Sequence, residues 1–291
     1  MTDSVLSSSP RARKSPWRRS WEVASRYISA LPLFALTLVF IFPILWMFTS
    51  SFQAGDKMFQ LTTEWIPSVI HAENYPNALA RANFPTYFLN SAVVSILVVA
   101  GNVVFCTLAG YGLAKFRFPG DRWVLLAILS TLMLPLEVTL IPTFLVVHKF
   151  DWLNTYQGLA GPLLIDAFGV FLMRQSILYI PDDYIEAARL DGANELRILW
   201  HVIVPQCWPA LCILTIISFR ESWDQFLWPL TIVSADEYRT YPLGLVQFNE
   251  DYGTPPTEQM AIAVLATIPI FVLFAILQRG ITRGYGLSGL K

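Results

Sequence analysis

Charge is scarce in this sequence. Of its 291 residues only 14% are Asp, Glu, Lys or Arg while 55% are apolar, and the mean hydropathy is +0.50. That balance excludes an ordinary water-soluble domain. Cysteine and histidine are nearly absent, with three of each. Cys106, Cys207 and Cys212 fall in or beside apolar runs, and Cys207 and Cys212 have no histidine near them, so all three read as packing residues and no disulfide framework is expected. His71, His148 and His201 join no Cys, Asp or Glu at metal-ligand spacing. No Gly-x-x-x-x-Gly-Lys-[Ser/Thr] loop is present to cradle nucleotide phosphates, and no Gly-x-Ser-x-Gly elbow to raise a nucleophile. The chain therefore shows no means of hydrolysing a nucleotide or of catalysis, and it is expected to be no enzyme and to bind no metal or cofactor.

What is abundant is long uncharged sequence. A hydrocarbon core of about 30 Å takes roughly 20 helical residues to cross. Residues 27–48, 82–114 and 260–277 carry no charge; 123–147 is interrupted only by Glu137, 155–173 only by Asp166, and 202–235 by Arg220, Glu221 and Asp224. These runs are continuous rather than alternating, which favours helices over barrel strands. The expected fold class is an all-α integral membrane protein with six transmembrane helices.

Basic residues orient the spans. Fifteen of the 20 Lys and Arg fall on the side that holds both termini and the connections before the third and fifth spans. The positive-inside rule makes that side cytoplasmic. Arg18-Arg19 before an apolar run resembles a twin-arginine export signal, but the run is too long and no small-residue cleavage site closes it. Residues 1–26, rich in Ser, Pro and Arg, read as a disordered cytoplasmic tail that fixes topology rather than binding nucleic acid, and 27–291 as the membrane domain.

Between the fourth and fifth runs lies a polar insert, residues 181–205, PDDYIEAARLDGANELRILWHVIVP. Pro181 ends the preceding helix, Asp182 is suited to cap the next, and Asp183 favours its N-terminal dipole. About two turns of helix extend from there to Leu190. Gly192 suits a left-handed stop, Asn194 can cap a second helix, and Glu186 and Arg189 have the spacing of a surface ion pair. Ala187 and Ala188 give the first of these helices a thin face open to close approach by another protein.

The insert resembles the signature loop of ABC importer permeases: Glu186-Ala187-Ala188, then Gly192, then Ile203 and Pro205. More of the chain is similar to the MalG-like permeases of carbohydrate uptake, in the stretch from Ala109 to Gly120, Phe168 to Gln175, Ser218-Phe219, Trp223 through Leu230, Tyr241 to Leu245, and Gln278-Arg279 with Gly284 and Gly289. One departure comes after Trp223, where the family often has Asn-Asp and this chain has Asp224-Gln225. The resemblance implies the type I importer permease fold, with its core over about residues 86–280 and a coupling helix between spans four and five. It implies that Tyr184, Glu186, Ala187, Ala188, Asp191, Gly192 and Ala193 meet a separate ATPase. The implied partners are a second, homologous permease in a heterodimer, two ATPase subunits carrying ATP and Mg, and an extracytoplasmic sugar-binding protein. The implied setting is the bacterial cell membrane and its lipid.

Charges inside a bilayer cost several kcal/mol and face protein or water. Glu221, Asp224 and Gln225 have the spacing to share one helix face that Trp228 continues; with Glu137 and Trp223 they form the expected substrate pathway. Arg220 and Asp224, i and i+4, could instead neutralise each other. Pro135 and Pro142 bracket Glu137 and mark that helix for interruption. The expected function is import of an oligosaccharide, disaccharide or related polyol or glycerol phosphate. The alternative is an ion-gradient transporter using Glu137, Asp166 and Asp224.

Overall fold

The computed structural model describes residues 16–55, 67–252 and 255–286. Among these there are helices and connections but no strand. In chain order come α1 (Pro16–Ser50), α2 (Asn74–Arg81), α3 (Phe84–Lys115), α4 (Asp121–Thr131), α5 (Leu136–Lys149), α6 (Tyr156–Ala160) and α7 (Ala167–Leu178). Next are α8 (Asp182–Leu190), α9 (Glu195–Ile198), a π-helical turn over Leu199–Ile203, α10 (Val204–Gln206), α11 (Trp208–Trp223), α12 (Leu227–Ile232), α13 (Tyr241–Tyr252) and α14 (Pro256–Gly286).

Three helical stretches, Leu31–Ser50, Phe84–Lys115 and Pro256–Ile281, are long and apolar enough to cross a membrane unbroken. The other three expected spans are bent pairs, so the count reaches six only if each pair is one span. α4 and α5 meet at 103°, the α6 segment and α7 at 47°, and the α9–α10 segment and α11 at 84°. Proline explains the sharpest turn. Pro135 lacks an amide hydrogen and its ring clashes with the carbonyl four residues back, that of Thr131, where α4 stops. The first helix also departs from expectation. It begins at Pro16, so residues 16–26 are helical rather than part of a disordered tail; residues 1–15 lie outside the described residues.

α3 is the central post, packed along α7 and α11. Its sequence is almost wholly apolar, yet the polar residues it does carry are buried: Asn90, Ser91, Ser95, Asn102 and Thr107. Lipid tails offer these groups no partners, so they turn inward, and Asn90, Ser91 and Asn102 tie α3 to its neighbours. The Asn90 amide donates to the carbonyls of Glu237 and Arg239, both at 2.8 Å, and the Asn102 amide to that of Leu163 at 2.8 Å.

Glycine sets how closely α3 and α7 approach. A Cβ at Gly110 would stand 2.8 Å from the Arg174 amide nitrogen, and one at Gly169 2.8 Å from the Cys106 sulfur. Backbone cannot yield as a side-chain tip can. Gly110→Val is therefore expected to destabilise the bundle by about 1–3 kcal/mol, the usual range for overpacking. A lowered unfolding midpoint of the detergent-solubilised chain would register it, and an unchanged midpoint would contradict the crossing.

Candidate functional site: a braced surface helix and a polar cavity

α8 is a nine-residue helix carried at one end of the bundle. Pro181, rather than Asp182, is its cap residue; Asp182 and Asp183 occupy the first turn and Arg189 the last, each at the end of the dipole that favours its charge. The helix ends in a Schellman turn. Gly192 adopts φ +79°, its amide bonds the Arg189 carbonyl at 3.0 Å, and the Ala193 amide bonds the Ala188 carbonyl at 3.0 Å. Asn194 then caps α9, its side chain accepting from the Arg197 amide at 2.9 Å.

The two faces of α8 differ. Ile185 and Ala188 pack into the cluster of Ile177, Ile180, Ile198, Leu199 and Ile203. Ala187 and Glu186 are exposed, Tyr184 is 57% exposed and Leu190 90% exposed. Tyr184, Ala187 and Leu190 recur at i, i+3 and i+6, so the outward stripe holds two large apolar groups separated by a methyl.

Two side chains from the end of α3 brace this helix. Lys115, with only 7% of its side chain exposed, donates from Nζ to the Ile180 carbonyl and to Asp182 Oδ1, each at 2.6 Å. Tyr111 donates to Glu195 Oε2 at 2.6 Å, and the other oxygen of Glu195 accepts from Arg189 Nε at 2.9 Å. Arg189 thus pairs with Glu195 across the Gly192 turn and not with Glu186. The hydrogen bond from Lys115, aided by its charge, holds the Asp182 carboxyl below its ordinary range. A depressed carboxylate stabilises above its ordinary pKa and loses that contribution only as pH falls through the lowered value, so the Asp182 carboxylate keeps its part of the brace near neutrality.

A cavity of about 500 Å³ opens further along the bundle. Its polar wall carries Asn102, Asp166, Arg220, Glu221, Asp224 and Gln225. Three interrupted segments converge there: Leu136 begins α5, Asp166 precedes α7, and Asp224 and Gln225 come just after α11. Irregular backbone at membrane depth survives where it lines a cavity, because water or protein can then satisfy its polar groups. Asp166 accepts from the Gly169 amide at 2.9 Å as the cap of α7. Asp224 accepts from the Tyr241 hydroxyl at 2.8 Å and lies 3.9 Å from Arg220 Nε.

Comparison with known proteins places this arrangement. Residues 106–286, from the middle of α3 to the end of α14, match the family model described as binding-protein-dependent transport system inner membrane component. The chain belongs to this family. The permease is 30% identical over 259 residues to an arabinooligosaccharides transport system permease protein of Halalkalibacterium halodurans, covering 88% of this chain and 93% of that one. It is 32% identical over 270 residues to an sn-glycerol-3-phosphate transport system permease protein of Rhizobium meliloti, covering 89% and 95%. Among solved structures it resembles a bacterial ABC transporter involved in the import of the acidic polysaccharide alginate, with a TM-score of 0.77, 26% identity, and 92% and 98% coverage. The all-helical type I permease fold, the Glu-Ala-Ala motif and the absence of enzymatic activity go with that membership.

The structure of the permease redistributes the residues singled out from the sequence. Tyr184, Glu186, Ala187, Asp191 and Gly192 lie exposed on or beside α8, but Ala188 and Ala193 turn toward the permease's own core. Leu190 and Leu196 are both strongly exposed at this end, and the sequence does not mark them, because an isolated leucine in a polar stretch gives no signal of its own. Nor does the sequence mark Lys115 and Tyr111 as braces; their partners lie far along the chain. Of the expected pathway, Glu221, Asp224 and Gln225 do line the cavity. Trp223 and Trp228 do not. Each is only 2% exposed, and their indole nitrogens donate to the carbonyls of Ala266 and Gly158 at 3.0 and 3.1 Å. Helix α11 ends at Trp223, so Trp228 sits on a separate helix and cannot continue the face of Glu221. Glu137 is exposed on the first turn of α5, where its neighbour Leu136 and not Glu137 reaches the cavity wall.

Proposed function

We propose that this permease is one of two related subunits that form a saccharide path across a bacterial cytoplasmic membrane, driven by ATP hydrolysis on separate subunits through α8. The observation that carries the reading is the built form of α8: an apolar stripe turned outward on a helix braced at both ends to the central post. An unsupported surface loop needs no such bracing. A helix that transmits force does, because motion at its outer face must reach α3 without being lost in side-chain slack.

In this reading two ATPase subunits, carrying the ATP and Mg, receive Tyr184, Ala187 and Leu190. Nothing in this chain can hold a nucleotide triphosphate in a phosphate loop, so the energy must arrive from outside it. By the positive-inside rule, the excess of Lys and Arg in the tail and in the connections before the third and fifth spans supports a cytoplasmic setting for α8. An extracytoplasmic binding protein delivers the cargo to the opposite end, and the heterodimer partner completes the cavity. The named relatives belong to transport systems for arabinooligosaccharides and for sn-glycerol 3-phosphate, and of these two classes the cargo proposed here is a saccharide. The ATPases bias a two-state equilibrium between outward-open and inward-open cavities, which α8 can transmit only if its contacts differ between the states. The ion-gradient alternative is weaker, since Glu137 lies off the cavity that Asp166 and Asp224 line.

Affinity purification of the tagged chain from its native membrane, then reconstitution in proteoliposomes, tests this directly. A second permease and an ATPase are expected to co-purify, and saccharide uptake is expected to require binding protein and ATP. A chain that emerges alone and transports without ATP would end the proposal.

A further inference from the structure

The three carboxylates and one guanidinium on the cavity wall do not cancel. Asp166, Glu221 and Asp224 face Arg220, whose Nε lies 3.9 Å from Asp224. Asp166 accepts from the Gly169 amide as the cap of α7 and has no cationic ion-pair partner among the described residues. Glu221 forms no hydrogen bond or ion pair among the described residues, although Asp166 and Arg220 are close enough to act on it through space. The wall is therefore net negative, and it carries no aromatic ring on which a sugar could stack. A second observation marks the place as a ligand site. The Ser222 hydroxyl, in the same wall and 8% exposed, has no hydrogen-bond partner among the described residues. Natively unpaired buried hydroxyls are uncommon and call for a partner absent from the free chain.

We infer that this chain's half of the path selects against anionic cargo: it passes saccharides that bear neither carboxylate nor phosphate, binding them through their hydroxyls at Glu221, Asp166, Gln225 and Ser222. The inference rests on the cavity being the cargo path. Neutral saccharides carry many hydroxyl donors, and carboxylate acceptors form the stronger, charge-assisted class of hydrogen bond with them. A uronate or a phosphate would instead bring like charge into a cleft with low-dielectric walls, where field lines concentrate. Arg220 is the one cation on the wall, and Asp224 already lies beside it. On this ground the permease differs from its relative named for glycerol phosphate, similar in sequence, and from the importer of an acidic polysaccharide, similar in fold.

The local potential can be measured without knowing the cargo. Gln225→Cys, and separately Ile165→Cys on the exposed rim, would be introduced into the assembled importer. Each would be reacted with the trimethylammonium-ethyl and the sulfonato-ethyl methanethiosulfonates, reagents of similar size and opposite charge. The native Cys106, Cys207 and Cys212 are buried and supply the background rate. After normalisation to a free thiol, the cationic reagent is expected to react about tenfold faster or more, the lower end of charge focusing in clefts. Adding Glu221→Gln should reduce that ratio, and Glu221→Lys should reduce it further. Equal rates, or faster reaction of the sulfonate, would overturn the charge selection while leaving the cavity as the path. Failure of both reagents at both positions would mean a cavity closed to water, and would overturn the path itself.

Discussion

Replacing Ala187 with arginine is expected to detach the ATPase subunits while leaving the permease folded. Ala187 is exposed between Tyr184 and Leu190 and lies outside the cluster that holds Ile185 and Ala188. A guanidinium on a long stem therefore disturbs little inside this chain and fills the space that a docked partner would need. Interface centres tolerate such changes poorly, and about 2 kcal/mol, or roughly a 30-fold loss of affinity, is the threshold expected of a hot spot. Co-purification of the ATPase should fall accordingly and uptake should fall to background. The unfolding midpoint of the detergent-solubilised variant should match the parent. Full uptake by Ala187→Arg would remove α8 as the docking surface, whereas a lowered midpoint would show that Ala187 has a structural role after all.

Lys115→Met is expected to produce the opposite pattern, with the ATPase still bound but no longer coupled. The buried Nζ makes two bonds, and they are not equal in weight. Asp182 is largely exposed, so water can replace its share, and Asp182→Asn should change transport little. The Ile180 carbonyl lies in the connection between α7 and α8, and this bond is its tether to α3 among the described residues. A hydrogen bond from a charged donor contributes about 1.5–3 kcal/mol, which corresponds to tenfold or more in an equilibrium. Uptake is thus expected to drop at least about tenfold, and ATP hydrolysis to lose its dependence on the binding protein. Measuring hydrolysis and uptake together in proteoliposomes separates this from simple loss of docking. If both rates fell in proportion, or neither changed, Lys115 would not be the transmitting brace.

Local patterning carried much of the structure. The π-helical turn at Leu199–Ile203, the Schellman turn at Gly192 and the cap at Asn194 arise from residues a few positions apart, and two of the three are legible in the chain. The α4–α5 interruption is likewise marked by Pro135. Helical spacing misleads where it is carried past the end of a helix. The face drawn from Glu221 through Asp224 to Trp228 assumes a continuous α11, but α11 stops at Trp223 and the two tryptophans pack inward. Indole at membrane depth looks the same in sequence whether it meets a sugar or the carbonyl of a neighbouring helix. The Glu186–Arg189 pair fails for a related reason. The left-handed turn at Gly192 brings Glu195 back to Arg189 at 2.9 Å, and Glu195 also engages Tyr111 from α3.

By itself the sequence determined that this protein is helical and membrane-spanning, since hydrophobic run length is a property of the chain that no packing can reverse. It also determined the family, through the motif around Gly192. Only the tertiary structure decided which charges share a cavity, which tryptophans are core, and that the end of α3 holds α8. Those depend on contacts between residues far apart in the chain, such as Tyr111 with Glu195 or Lys115 with Ile180. Such pairings leave no periodic trace, because each is fixed by how whole helices cross rather than by what lies beside it in the chain.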